Sequence, residues 1–102
     1  MKIIQNTELK NRLDNNENII LIDVRQPEEH AEFNIGGTLL PLGNIVSMQI
    51  ESIEDHRQDE IICYCRSGQR SMQACMMLES MGFTHVSNLA GGMLAWKEAF
   101  GS

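Results

Sequence analysis

Two short apolar runs constrain this chain more than anything else in it. Ile19-Ile20-Leu21-Ile22-Asp23-Val24 is apolar at every position but one, and Glu60-Ile61-Ile62-Cys63-Tyr64-Cys65 is nearly so. A strand with one wet face alternates apolar and polar residues. A run without that alternation is covered on both faces, as in a parallel sheet layered between helices. The segments between the runs carry helical patterns. Leu9 and Leu13 share a face over residues 8–14, with Asn6 or Thr7 as the N-cap. Pro27 opens a small acidic helix over 27–33, in the first-turn position that proline tolerates. Ile45, Met48, Ile50 and Ile53 mark a weaker helix over 44–53. A longer helix is predicted over 70–81, with Met72, Ala74, Cys75, Met76 and Met77 buried and Gly82 at its end. Residues 93–100 form a closing helix, with Trp96 and the methionines read as core. Thr38–Leu40 and residues 83–89 are shorter strands, and 54–59 is a polar loop. Strands alternating with helices predict an α/β domain.

With 102 residues the chain suits one domain, 1–102, large enough for a single core. No apolar run approaches the ~20 residues of a membrane helix. Met1-Lys2-Ile3-Ile4-Gln5-Asn6 lacks the apolar centre of a secretion signal. A cytoplasmic protein with no membrane partner is therefore expected. The net charge of −6, from 14 acidic and 8 basic residues, argues against nucleic acid, which demands a basic surface. Against that background Arg66 and Arg70, with no acid between them, form a local cationic spot suited to a small anion. Cys63, Cys65 and Cys75 are odd in number and do not look like a disulfide framework. His30, His56 and His85 are scattered, so neither a metal site nor a cofactor is expected.

The segment Cys65-Arg66-Ser67-Gly68-Gln69-Arg70 joins a strand to a helix. Such a turn can curl its backbone N–H groups inward as an anion nest, and the following helix adds its N-terminal donors and dipole. A thiol in that nest ionises readily. A free cysteine is only about 3% thiolate at pH 7, and a pKa about two units lower makes it roughly 75% thiolate. Nucleophilicity falls with pKa, however, and a Brønsted slope of about 0.4–0.5 takes back nearly a factor of ten. The net gain is only a few-fold. The nest is better suited to holding an anion: an anionic sulfur donor, then a terminal persulfide, Cys–S–S⁻. Arg66 and Arg70 offset the repulsion between thiolate and donor. Ser67, Gly68 and Gln69 contribute mainly backbone N–H groups, and Gly68 permits a positive φ.

The loop resembles the C-R-x-G-x-R active-site loop of the rhodanese family. Asp23-Val24-Arg25, followed by Glu28-Glu29 and Phe33, resembles that family's D-V-R…E-[YF] block. Asn88-Leu89-Ala90-Gly91-Gly92…Trp96 resembles its C-terminal L-x-G-G-x-x-x-W. The three blocks occur in family order across nearly the whole chain. The resemblance implies a rhodanese-like three-layer domain: a mostly parallel, five-stranded central sheet flanked by helices. It also implies that Cys65 takes sulfane sulfur from a donor such as thiosulfate and passes it to cyanide or a thiol. One departure is Asn34, which stands where the family usually has the histidine of G-H-I-x-G-A; a structural adjustment is expected there.

Other readings are weighed against this one. Phosphatases of the same superfamily have a C-x5-R loop, one residue longer than the C-x4-R of Cys65 to Arg70. A sulfur-carrier module would use the same cysteine, fed by a sulfur-relay partner protein. A catalytically dead binding domain would not need the cysteine and both arginines. Cys63 and Cys75 read as core, Asp23 as a strand-end partner of backbone or Arg25, Met93 and Leu94 as a pocket rim, and Glu28, Glu29 and Glu32 as a solvated face.

Overall fold

The computed structural model describes residues 1–101. Strands β1 (Lys2–Ile4), β2 (Ile20–Asp23), β3 (Thr38–Leu39), β4 (Glu60–Tyr64) and β5 (His85–Leu89) form one sheet in the order β1-β5-β4-β2-β3. Every pairing is parallel, so the sheet is wholly rather than mostly parallel. Helices α1 (Asn6–Asp14), α2 (Pro27–Glu32), α3 (Leu42–Val46), α4 (Gln69–Ser80) and α5 (Gly92–Phe100) connect and cover it. Among the described residues no helix is long and apolar enough to cross a membrane.

The two apolar runs are β2 and β4, the inner strands, and both of their faces are used. From β4, Ile61 and Cys63 pack on one side with Ile22, Ile45, Ala74, Cys75 and Leu78. Ile62 and Tyr64 pack on the other with Leu9, Leu89, Met93 and Trp96. A period of two with apolar residues at every step thus fills two cores at once.

Several local expectations need correction. The N-cap of α1 is Gln5, not Asn6 or Thr7; Asn6 is already helical and donates from its side chain to Ala95 O at 3.4 Å. The helix expected over 44–53 is only α3, after which turns carry Ile50 and Ile53 inward. Met72 and Met76 are not core: they are 43% and 59% exposed. The buried stripe of α4 is Ser71, Ala74, Cys75 and Leu78, at i, i+3, i+4 and i+7, and the two methionines lie one step around the helix from it. Small residues on that stripe let α4 lie close to the sheet. Strand β1 carries no periodicity signal of its own and is defined by pairing with β5.

Candidate active site

β4 ends at Tyr64 and α4 begins at Gln69, so Cys65 to Gly68 form a four-residue turn at the carboxyl end of the central strand. Gly68 is the N-cap of α4 and has φ of 107°, a conformation a side chain would resist. The turn curls around the Cys65 sulfur, which accepts from Gly68 N–H at 3.1 Å, Ser71 N–H at 3.4 Å and the Ser71 hydroxyl at 3.3 Å. The residue is 1% exposed. Burial alone pushes its thiol pKa up. The Ser71 hydroxyl and the N–H groups of Ser71, Gly68 and Ser67 outweigh that, and the net shift is downward.

Cys63 behaves oppositely. Cys63 is fully buried, and its hydrogen bond with Cys75, together with desolvation, pushes its thiol well up. Cys75 donates to Ser87 O at 3.4 Å. Of the three, Cys65 is the one whose sulfur is ringed by N–H and O–H donors.

Beneath the loop sits Asn88 from β5. Its side-chain N–H donates to Gly68 O at 3.0 Å, and its Oδ1 pairs with the Ser71 hydroxyl. The Ser71 Oγ also lies 3.3 Å from Gly68 O. One hydroxyl proton therefore has three acceptors in reach, of which a thiolate draws it most strongly. Neither Ser71 nor Asn88 is among the site residues expected from the sequence. Ser71 is one step beyond Arg70 in the motif; Asn88 opens the C-terminal family block, but its place beneath the loop depends on β5 lying beside β4.

The N-terminus of α5 fastens the loop from a second side. Met93 N–H donates to Cys65 O at 2.9 Å and Leu94 N–H to Arg66 O at 3.0 Å. At Gly92 a Cβ would stand 2.4 Å from Cys65 O and 2.6 Å from Arg66 C, so only glycine allows this approach.

The two arginines of the loop divide. Arg70 is forked onto Glu29 at 2.7 and 2.8 Å. The Arg70 guanidinium holds the Glu29 carboxyl down at about 2. Glu29 also accepts from Gln26 N–H at 3.1 Å, capping α2, so it is not part of an ordinary solvated face. The Arg66 side chain is exposed and has no hydrogen-bond or ion-pair partner among the described residues. Ser67 and Gln69 are exposed as well.

Asp23 and Arg25 form a buried strut next to this loop. Asp23 accepts from Arg25 Nε at 2.9 Å, Nη2 at 2.8 Å and the backbone N–H at 3.0 Å, with His30 Nδ1 at 2.8 Å. Arg25 also donates to Phe33 O at 2.6 Å. This agrees with a structural role for the pair. Asn34, in the place of the family's usual histidine, donates to His30 O and accepts from Gly36 N–H, each at 2.8 Å, and so builds the turn into β3.

A cleft of about 150 Å³ lies beside the loop, lined in part by Arg66, Met93 and Leu94, as the rim reading expected. A larger cleft of about 450 Å³ lies at Lys2, Glu60 and His85, the opposite ends of the strands; Cys65 itself lines neither cleft, and the smaller one meets its loop through Arg66.

The profile of the rhodanese-like domain matches residues 5–99. The chain belongs to the rhodanese-like domain family. A sulfurtransferase of Allochromatium vinosum is 38% identical over 94 residues, covering 91% of this chain and 85% of that protein. Thiosulfate sulfurtransferase PspE of Escherichia coli is 37% identical over 73 residues, covering 71% and 68%. Among solved structures, a rhodanese-like domain protein from Staphylococcus aureus superposes with a TM-score of 0.82 at 31% identity, covering 94% of this chain and 91% of that one.

Proposed function

We propose that this rhodanese-like domain, residues 1–102, is a sulfurtransferase that carries sulfane sulfur on Cys65, with thiosulfate or a similar anion as donor and cyanide or a thiol as acceptor. The observation that carries this reading is the ring of donors on the Cys65 sulfur, from Gly68 N–H and from the N–H and hydroxyl of Ser71. The names of the Allochromatium and Escherichia relatives support it.

In the loading step the Cys65 thiolate attacks the outer sulfur of thiosulfate. A Cys65 S–S bond forms, the bond to the sulfonate sulfur breaks, and sulfite leaves with that electron pair. The charge of −3 is the same before and after. Arg66 is the cation free to meet the incoming dianion, while Arg70, neutralised by Glu29, acts as a strut closing the loop. The donors around the sulfur then hold the persulfide anion, as preorganised dipoles do wherever charge must persist. The spacing of Cys65 to Arg70 keeps the nest small, which favours a single sulfur over a phosphoryl group. Three unpaired cysteines suit a reducing compartment such as the cytoplasm.

The test is thiosulfate:cyanide turnover, read as thiocyanate formed. Wild type is expected to turn over and Cys65→Ser to be inactive, with the fold retained by circular dichroism. Turnover by the folded Cys65→Ser protein would refute the role given to Cys65.

A further inference from the structure

The cleft beside the loop has a charge pattern of its own. Arg25, on its wall, is taken up by Asp23, and Glu29 by Arg70. That leaves Arg66 and Lys97 as the cations there without a carboxylate partner among the described residues, and Glu32 as the acid without a cationic one. The Lys97 ammonium is stationed 4.7 Å from the Phe33 ring centroid. Such a contact contributes modestly and leaves the charge available to solvent. Met93 and the exposed Leu94 supply an apolar wall, and Leu94 is joined to the catalytic loop through its bond to Arg66 O. In a chain of net charge −6 this is a small cationic pocket with a greasy side, fastened to the sulfur-bearing loop.

We infer that this cleft is the acceptor subsite, and that Lys97 is a specificity-determining residue that favours thiols carrying a carboxylate. The inference rests on the reading of Cys65 as the sulfur carrier. The short aliphatic stem of such a thiol lies along Leu94 and Met93, and its carboxylate meets Arg66 and Lys97. At about 150 Å³ the cleft suits a molecule of a few heavy atoms. The transfer balances without any outside oxidant: the acceptor thiol attacks the outer sulfur of Cys65–S–S⁻ and passes its proton to that sulfur, the S–S bond to Cys65 breaks, and Cys65 keeps that electron pair as thiolate. The acceptor leaves as its persulfide, with the outer sulfur and its proton.

The experiment uses full-length protein loaded with thiosulfate, freed of excess donor, and mixed with either 3-mercaptopropionate or the neutral 2-mercaptoethanol. The readout is the rate at which the protein loses its added sulfur by intact mass. The ratio of the two rates, variant against wild type, cancels the intrinsic difference between the thiols. Lys97→Ala is expected to lower the ratio about two- to fivefold, as for other exposed charge contacts. Lys97→Arg should restore it, and Glu32→Gln should raise it. At about 1 M salt, where screening acts within about 3 Å, the differences should collapse. Unchanged ratios in Lys97→Ala and Glu32→Gln would overturn the subsite while leaving the Cys65 reading intact. A wild-type protein that takes up no sulfur would refute both.

Discussion

Replacing Ser71 by alanine removes one hydroxyl from the centre of the site, with one effect on the sulfur and another on stability. The hydroxyl lies 3.3 Å from the Cys65 sulfur and also serves Asn88 Oδ1. A hydrogen bond to a charged group contributes about 1.5–3 kcal/mol. Because the same proton otherwise satisfies Asn88, the net preference for the thiolate is smaller, about 1–2 kcal/mol. The Cys65 pKa should therefore rise in Ser71→Ala. At pH 7 the thiolate fraction falls, and the stronger intrinsic nucleophile returns about half of that loss on a logarithmic scale. Loading by thiosulfate should slow by about threefold, not by orders of magnitude. The effect on stability is independent of chemistry. Asn88 is buried, and its Oδ1 loses its donor, which costs about 1–3 kcal/mol of stability. The assay is the pH dependence of iodoacetamide alkylation, followed by mass, beside urea denaturation. Loss of stability with an unshifted alkylation profile would refute the idea that Ser71 tunes the sulfur.

Other perturbations have equally definite signs. Glu29→Gln breaks the fork to Arg70 but leaves an oxygen for the Gln26 N–H. The Glu29 carboxyl is held at about 2 in the folded chain against 4.5 when free, so its contribution is present above about pH 5 and lost as pH falls toward 2. With the two partners 28% and 36% exposed, solvent screening reduces that contribution to about 1–2 kcal/mol at pH 7. Urea denaturation of both proteins at pH 7 and pH 3 should show the gap shrinking by more than half; an equal gap at both pH values would contradict the ion pair. Gly92→Ala forces a Cβ against Cys65 O and Arg66, and should lower both stability, by about 2 kcal/mol or more, and sulfur-transfer rate. A variant of normal stability and turnover would show that α5 does not hold the loop. Leu78→Ala empties a fully buried position against the sheet and should cost about 2–5 kcal/mol in urea denaturation. A cost under 1 kcal/mol would mean that α4 is not docked there.

The features legible in the sequence are the local ones. β2 and β4 were legible because a strand covered on both faces must be apolar throughout. The loop was legible because Cys65 to Arg70 are contiguous, so their convergence needs no knowledge of the fold. The Asp23–Arg25 pair is two residues apart and was legible for the same reason. Contacts made across the fold were not. Arg70 finds Glu29 from 41 residues away, and only the packing of α2 beside α4's first turn turns a surface carboxylate into part of the site. Asn88 looks like an ordinary strand residue until β5 lies next to β4. Met72 and Met76 are the larger hydrophobes of α4, yet the smaller Ser71, Ala74 and Cys75 occupy the face that meets the sheet, so hydrophobicity alone misplaces them. The three-residue edge strand β1 is too short to declare itself.

The central claim is that Cys65 carries the sulfur. Intact mass after incubation with thiosulfate and removal of excess reagent tests it most directly. The account predicts a gain of one sulfur atom on the wild-type chain, reversed by cyanide, and no gain on Cys65→Ala, in which Cys63 and Cys75 remain. An equal gain on Cys65→Ala, or none on the wild type, would contradict it.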